Sequence, residues 1–215
     1  MLNREPTTEE LDSLREQVRP YLTEKRYAHT LAVEKQTAYM AEILMPEHEG
    51  RLRAAALLHD IAKKLTYEKQ LNYIRECDII NAGTGTHVPV EVAHAPAGAA
   101  MVIAHFPQWA DPDIVSAVRY HTTGRGGMTM FESIVFLADY IEPTRKYESC
   151  RRLYGFIHDN LASGGEDILR RALMECMAQT VTYLSESGHG TDIDENTVSA
   201  LEYLKRCGSL PRTLS

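Results

Sequence analysis

The sequence predicts an all-α fold. Apolar residues recur at three-to-four spacing along most of the chain, and no pair of alternating segments offers a convincing strand pair. Helix-opening residues stand at the start of several of these segments, and glycine- or proline-bearing stretches separate them.

Each element follows from local chemistry. Thr7-Thr8-Glu9-Glu10 forms a capping-box pattern that opens a first helix, which Pro20 ends or interrupts. Thr23 starts a second, running to about Leu44, with Tyr27, Leu31, Ala38, Ala41 and Leu44 along one side. A third is expected over residues 47–62, and Thr66 opens a fourth that runs to about Glu76. The stretch Asn81-Ala82-Gly83-Thr84-Gly85-Thr86 reads as a loop. Pro96 suits the first turn of a helix ending near His105. Asp111-Pro112 pairs an N-cap with proline at the first helical position and opens a helix that ends near His121. Residues 122–129, with three glycines, form a loop before a second capping box, Thr129 to Glu132. Two or three more helices fill residues 149–207, divided by Ser163-Gly164-Gly165 and Ser187-Gly188-His189-Gly190.

The chain has 215 residues, 44% of them hydrophobic, which is enough for one sizeable core, so a single domain over 1–215 is expected. A net charge of −7 argues against nucleic-acid binding, although arginine, lysine and metal concentrated in one place can still hold phosphates. Cys77, Cys150, Cys176 and Cys207 form no CxxC pair and read as reduced thiols. The first residues contain no apolar signal stretch, and the longest apolar run, residues 97–106, is about half of a ~20-residue membrane span. Together these point to a cytoplasmic protein without a membrane partner.

The chemistry concentrates around His59-Asp60, which ends the apolar run Ala54-Ala55-Ala56-Leu57-Leu58. His29 precedes the pair, and His94, His121 and Asp139 follow it. Imidazole and carboxylate together bind first-row transition metals. Asp139 sits directly after Ile134-Val135-Phe136-Leu137-Ala138, where a carboxylate is costly unless it is paired or metal-bound. The same cost applies to His59-Asp60, and a shared metal is the simplest common partner. Asp60 is the natural bridge, since its two oxygens can face two ions. His29 and Asp139 would complete one site, His94 and His121 the other, with His59 serving one of them. Two ions ~3.5–4 Å apart clamp a phosphate and lower the pKa of water toward neutrality. His48, His87, His105, His158 and His189 read as structural or surface residues.

Cations accompany the set. On a continuing helix Lys63 would share a face with His59 and Asp60, and Arg26 one with His29. Arg145 follows Asp139 across Ile141-Glu142-Pro143 and could reach back over the site or pair with Glu142. The loop His121-Thr122-Thr123-Gly124-Arg125-Gly126-Gly127 offers backbone N–H groups and Arg125 to an anion.

The order His29, His59-Asp60, Asp139 resembles the HD-domain superfamily of metal-dependent phosphohydrolases. Four stretches are similar to one branch: Arg26-Tyr27-Ala28-His29-Thr30-Leu31, Leu57-Leu58-His59-Asp60-Ile61-Ala62-Lys63, His121-Thr122-Thr123-Gly124, and Leu137-Ala138-Asp139-Tyr140-Ile141-Glu142-Pro143-Thr144-Arg145. That branch is the YqeK-type bacterial symmetrical bis(5′-nucleosyl)-tetraphosphatases. The resemblance implies an HD helical bundle with its metal-binding core over about residues 23–146 and additional C-terminal helices over about 147–207. It implies two metal ions, iron by family and manganese, cobalt, nickel or zinc by ligand chemistry, held by His29, His59, Asp60, His94, His121 and Asp139. It places Arg26, Lys63, Thr122, Gly124 and Arg145 around a polyphosphate, with Arg125 added from the loop reading, and gives Asp60 and Lys63 catalytic roles. The implied reaction is hydrolysis of diadenosine tetraphosphate to two ADP. The alternatives are a nucleotidase or cyclic-dinucleotide phosphodiesterase on the same core, and a non-catalytic nucleotide-binding regulator. A homodimer is left open.

Overall fold

The computed structural model describes residues 4–79, 88–186 and 193–214. All regular structure among them is helical, in agreement with the sequence. The α-helices are α1 Thr8–Val18, α2 Glu24–Leu44, α3 Glu49–Leu58, α4 Tyr67–Glu76, α5 His94–His105, α6 Pro112–Tyr120, α7 Met130–Ile141, α8 Glu148–Glu186 and α9 Glu195–Arg206. Short 3₁₀ turns at Arg19–Tyr21, Pro46–His48 and Pro107–Trp109 each carry a proline in their first two residues. Among the described residues no helix is long and apolar enough to cross a membrane.

The expected caps form. Thr7 and Glu10 close one reciprocal capping box and Thr129 and Glu132 the other, while the Asp111 carboxylate accepts from Asp113 and Ile114 N–H. The divider at Gly164-Gly165 is a kink instead of a loop. Gly165 adopts φ +52°, ψ −132°, a conformation open to glycine, and α8 continues beyond it. The expected turns over residues 81–86 and 187–190, and with them His87 and His189, lie outside the described residues.

One apolar cluster runs through the bundle from Leu11 to Leu210. α3 and α7 carry its centre: Ala54 to Leu58 and Ile134, Val135, Leu137 and Ala138 are all fully buried. α5 is built mostly of alanine, glycine and other small residues, so its backbone packs close to its neighbours. A Cβ on Gly98 would stand 3.3 Å from Val118 and 3.4 Å from the His59 carbonyl. This close approach sets α5 against the chain reversal that holds His59 and Asp60.

The third helix departs from its expected length. It stops at Leu58, and residues 59–64 form successive turns, with Ile61 and Lys63 N–H donating to Leu58 and Asp60 carbonyls. The cause is local. The His59 ring donates to the Ala56 carbonyl at 2.6 Å, taking the acceptor that a continuing helix would offer to Asp60 N–H.

Candidate metal centre

The six candidate ligands come from five segments. His29 lies in the second turn of α2, His59-Asp60 follow α3, His94 is the first residue of α5, His121 follows α6, and Asp139 belongs to the last turn of α7. α3 and α6 end alike. His121 donates from Nδ1 to the Val118 carbonyl at 2.7 Å, just as His59 does to Ala56. A carbonyl only accepts, so each Nδ1 carries a proton, and in the neutral ring that leaves the Nε2 lone pair for a metal. His29 reaches the same state through Glu142, whose Oε1 lies 3.1 Å from Nδ1.

The rings form a chain: His29 to His59, His59 to His121 and His121 to His94, with centroids 5.5, 5.0 and 5.1 Å apart. Asp60 divides its oxygens between them. Oδ2 lies 3.6 Å from His59 Nε2, while Oδ1 lies 3.5 Å from His94 Nε2 and 3.7 Å from His121 Nε2. Asp139 Oδ1 stands 3.0 Å from His29 Nε2 and 4.0 Å from His59 Nε2. Two three-donor groups result, His29–His59–Asp139 and His59–Asp60–His121, each with ligand atoms within 4.8 Å of one another. His94 stands outside both groups, its Nε2 3.5 Å from Asp60 Oδ1.

The donors fit metal ions. His29 Nε2 and His59 Nε2 are buried with no hydrogen-bond partner: with the proton on Nδ1 each is a lone pair, which a neighbouring carboxylate oxygen, also an acceptor, cannot satisfy. Two neighbouring orphaned imidazole nitrogens facing carboxylate oxygens are the donor set of a nitrogen–oxygen metal site.

The electrostatics favour the ligating protonation states of three groups. Burial, then His121 and Lys63, push the His94 imidazole well below its usual range, so it is neutral. Burial opposes ionisation of Asp60 and Asp139, but neighbouring imidazoles, with Arg145 beside Asp139, outweigh it and hold both carboxyls low. His59 goes the other way: burial lowers its pKa, but Asp60, Asp139 and the Ala56 carbonyl together raise it above its usual value.

Three cations border the ligands. Arg26 Nη1 donates to Asp60 Oδ2 at 2.9 Å, and Arg145 Nη2 to Asp139 Oδ1 at 2.5 Å. Lys63 Nζ lies against the His94 ring, 2.9 Å from Nε2, and Thr122 Oγ1 lies 3.1 Å from the same nitrogen. Lys63 arrives there through the turn after Asp60, because the helix on which it was expected to share a face has already ended.

The glycine-rich loop is placed differently from the sequence reading. Gly124 sits at φ +66°, and its N–H donates to the Tyr120 carbonyl at 2.8 Å, closing the end of α6 instead of facing an anion. Arg125 makes a two-pronged pair with Glu132 at 2.7 and 2.9 Å. Its guanidinium braces the cap of α7, and it touches none of the six candidate ligands. His48 and His105 bond to Arg51 and Tyr73, and His158 stacks on Tyr39, as expected of structural residues.

Glu142 is the residue that sequence reasoning missed. It is 1% exposed, orients His29, and accepts from Thr144 N–H at 2.7 Å and Thr144 hydroxyl at 2.6 Å. Its available signal was the Glu-Pro step three residues after Asp139. A residue before proline avoids helical backbone, which ends α7 there with Glu142 at φ −52°, ψ 143°.

The helical bundle and a cluster of histidines and aspartates at its helix ends define a metal-binding HD hydrolase. The family model described as the HD domain matches residues 26–144, and the chain belongs to that family. Among named relatives, the symmetrical bis(5′-nucleosyl)-tetraphosphatase of Halalkalibacterium halodurans is 33% identical, over 78% of this chain and 83% of its own length. The protein of the same name from Bacillus subtilis is 34% identical, over 78% of this chain and 83% of its own length. A crystal structure of a predicted HD superfamily hydrolase involved in NAD metabolism, from Clostridium acetobutylicum, aligns with a TM-score of 0.73 and 29% identity. That alignment covers 90% of this chain and 96% of the other.

Proposed function

We propose that this protein hydrolyses diadenosine tetraphosphate and related dinucleoside polyphosphates symmetrically, releasing two ADP. The observation that carries the reading is Asp60, whose two oxygens face different imidazoles from the middle of a buried cluster. The relatives' names agree with this chemistry. His29, His59, Asp60, His94, His121 and Asp139 would hold two metal ions, with iron the proposed metal, and the cytoplasm is the proposed compartment. When bound, such ions supply a nucleophile from water and neutralise phosphoryl oxygens.

The protein's own groups do the rest. Glu142 and the Ala56 and Val118 carbonyls keep three Nε2 atoms aimed inward. Arg26, Lys63 and Arg145 stand where a polyphosphate at the cluster would meet them, and their charge balances its inner phosphates. Burial lowers the Lys63 pKa, with Arg26 and Arg145 adding to the shift and Asp60 opposing it. Thr122 offers a hydroxyl beside His94. As an oxygen from water joins one inner phosphorus, the bridge to the other breaks and ADP leaves. ADP is a weak base, so no strong general acid is required.

The test is ion-exchange chromatography of products from purified protein supplied with iron, manganese or cobalt. The substrates are diadenosine tetraphosphate, ATP, GTP, dGTP and cyclic di-AMP. ADP alone from the first, abolished by chelator, is expected. Hydrolysis of another substrate with none of the first would refute this assignment.

A further inference from the structure

Lys63 borders the centre from the wall of a cavity of about 450 Å³, between α4 and the segment before α5. With open space on one side, its place depends on the backbone that carries it. That backbone is the run of turns after Asp60, which lies outside any helix. α4 supplies the support. Gln70 is 6% exposed, and its Nε2 donates to the Ala62 and Leu65 carbonyls, each at 3.2 Å. These carbonyls bracket Lys63 in the chain. An amide nitrogen has two protons, so one side chain grips the turn on either side of the lysine. Three residues earlier, on the same face of α4, the Tyr67 hydroxyl donates to the Val88 carbonyl at 2.7 Å. Val88 leads into His94 through a turn in which Val92 and Ala93 N–H donate to the Pro89 carbonyl. One helix face thus holds both sides of the contact in which Lys63 Nζ lies 2.9 Å from His94 Nε2.

The chemistry of position 70 is demanding. Two carbonyls need two donors. A carboxylate of the same length would set acceptors against acceptors, and an apolar chain would leave both carbonyls without this partner. Both bonds from the amide nitrogen go to backbone and none to a candidate ligand, so Gln70 acts on the centre through the turn. We propose that Gln70 is a positioning residue for hydrolysis: it fixes the turn that carries Lys63, while Tyr67 fixes the facing segment, so the ammonium meets the inner phosphates at a set place. This rests on the proposed function and adds the element that aims its cation. A charge stabilises a transition state in proportion to how well it is preorganised. A displacement of about 1 Å can cost about a hundredfold in rate.

The test is a double-mutant cycle of Gln70→Met with Lys63→Ala, read in kcat and KM for ADP formation from diadenosine tetraphosphate. Bound metal per chain is counted alongside, and the assay temperature lies below every variant's melting transition. Gln70→Met should lower kcat about tenfold to a hundredfold, change KM little and keep its metal. In the Lys63→Ala background the same substitution should change kcat no further, because the residue it positions is gone. A kcat unchanged by Gln70→Met, or a loss carried in full into the Lys63→Ala background, would overturn the positioning role; a purely structural glutamine gives the second result. Tyr67→Phe, which removes one hydroxyl and keeps the ring, should show a smaller loss with the same dependence on Lys63, and it carries the test if Gln70→Met does not fold. A wild type that makes no ADP would overturn the proposed function instead. In that case, or if Lys63→Ala has no measurable turnover, crystal structures decide. Lys63 Nζ displaced from His94 in the variant supports the brace, and Nζ at its wild-type place rejects it.

Discussion

Asp60 and Glu142 show how much a single buried carboxylate decides. Asp60 was legible in the sequence because it follows five apolar residues, where an unpartnered charge is costly. Asp139 was legible for the same reason. Glu142 was not, because its effect passes through His29 and its neighbours Pro143 and Thr144 read as surface loop. Arg125 misled for the opposite reason: glycines around an arginine suggest an anion loop, and only the tertiary structure shows Glu132 taking the guanidinium. Carboxylates that orient ligating histidines typically hold a tenfold to hundredfold share of metal affinity. Glu142→Ala should therefore weaken metal binding by about that factor in a competition titration with a chromophoric chelator. Glu142→Gln should recover most of it, since an amide oxygen still accepts from His29 Nδ1. Equal loss in both variants would mean that Glu142 acts by charge and not by orientation.

Helix starts were read well because capping is local chemistry. Thr7, Thr23, Asp111 and Thr129 each accept from backbone N–H groups within the next three residues. The end of α3 was not legible, because it is stopped by the His59 ring bonding back to the Ala56 carbonyl, and nothing in a histidine's neighbours announces this. Gly124 belongs to the same class of hidden constraint. A Cβ there would meet Met177 Cε at 2.4 Å, Met128 Sδ at 3.0 Å and Ala200 at 3.2 Å, in a backbone conformation that disfavours side chains. Gly124→Ala should destabilise the fold by about 1–3 kcal/mol in urea titration. An unchanged midpoint would show that the loop adapts freely. Thiol reactivity reads the packing of α7 and α8. Burial raises the Cys150 and Cys176 thiols, Cys176 far above its usual value, whereas Cys77 and Cys207 are only half-buried. Native protein should give two fast-reacting thiols with a disulfide reagent at pH 8, and denatured protein all four. Four fast thiols in the native state would contradict the placement of α8.

At the scale of the molecule, five segments from different parts of the bundle must come together for the cluster to exist, so metal binding and folding are linked. Ligands that bind only the folded state stabilise it by about 2.7 kcal/mol at a hundredfold excess over Kd. Added iron or manganese should raise the melting temperature of metal-free protein, and chelator should reverse the rise. A melting temperature indifferent to metal would mean that the cluster binds none. The fold and the cluster could be anticipated because apolar periodicity and buried charge are written in neighbouring residues. The brace from α4 could not, because Gln70 and Tyr67 bond to backbone carbonyls, which no side chain in the sequence marks.

The most direct test of the account counts metal ions per chain in the wild type and in Asp60→Ala, purified and loaded identically. With Asp60 facing both groups of imidazoles, the wild type should hold two ions, and the variant should lose metal together with hydrolysis of diadenosine tetraphosphate. A variant that keeps two ions and full turnover would show that Asp60 does not bridge the centre.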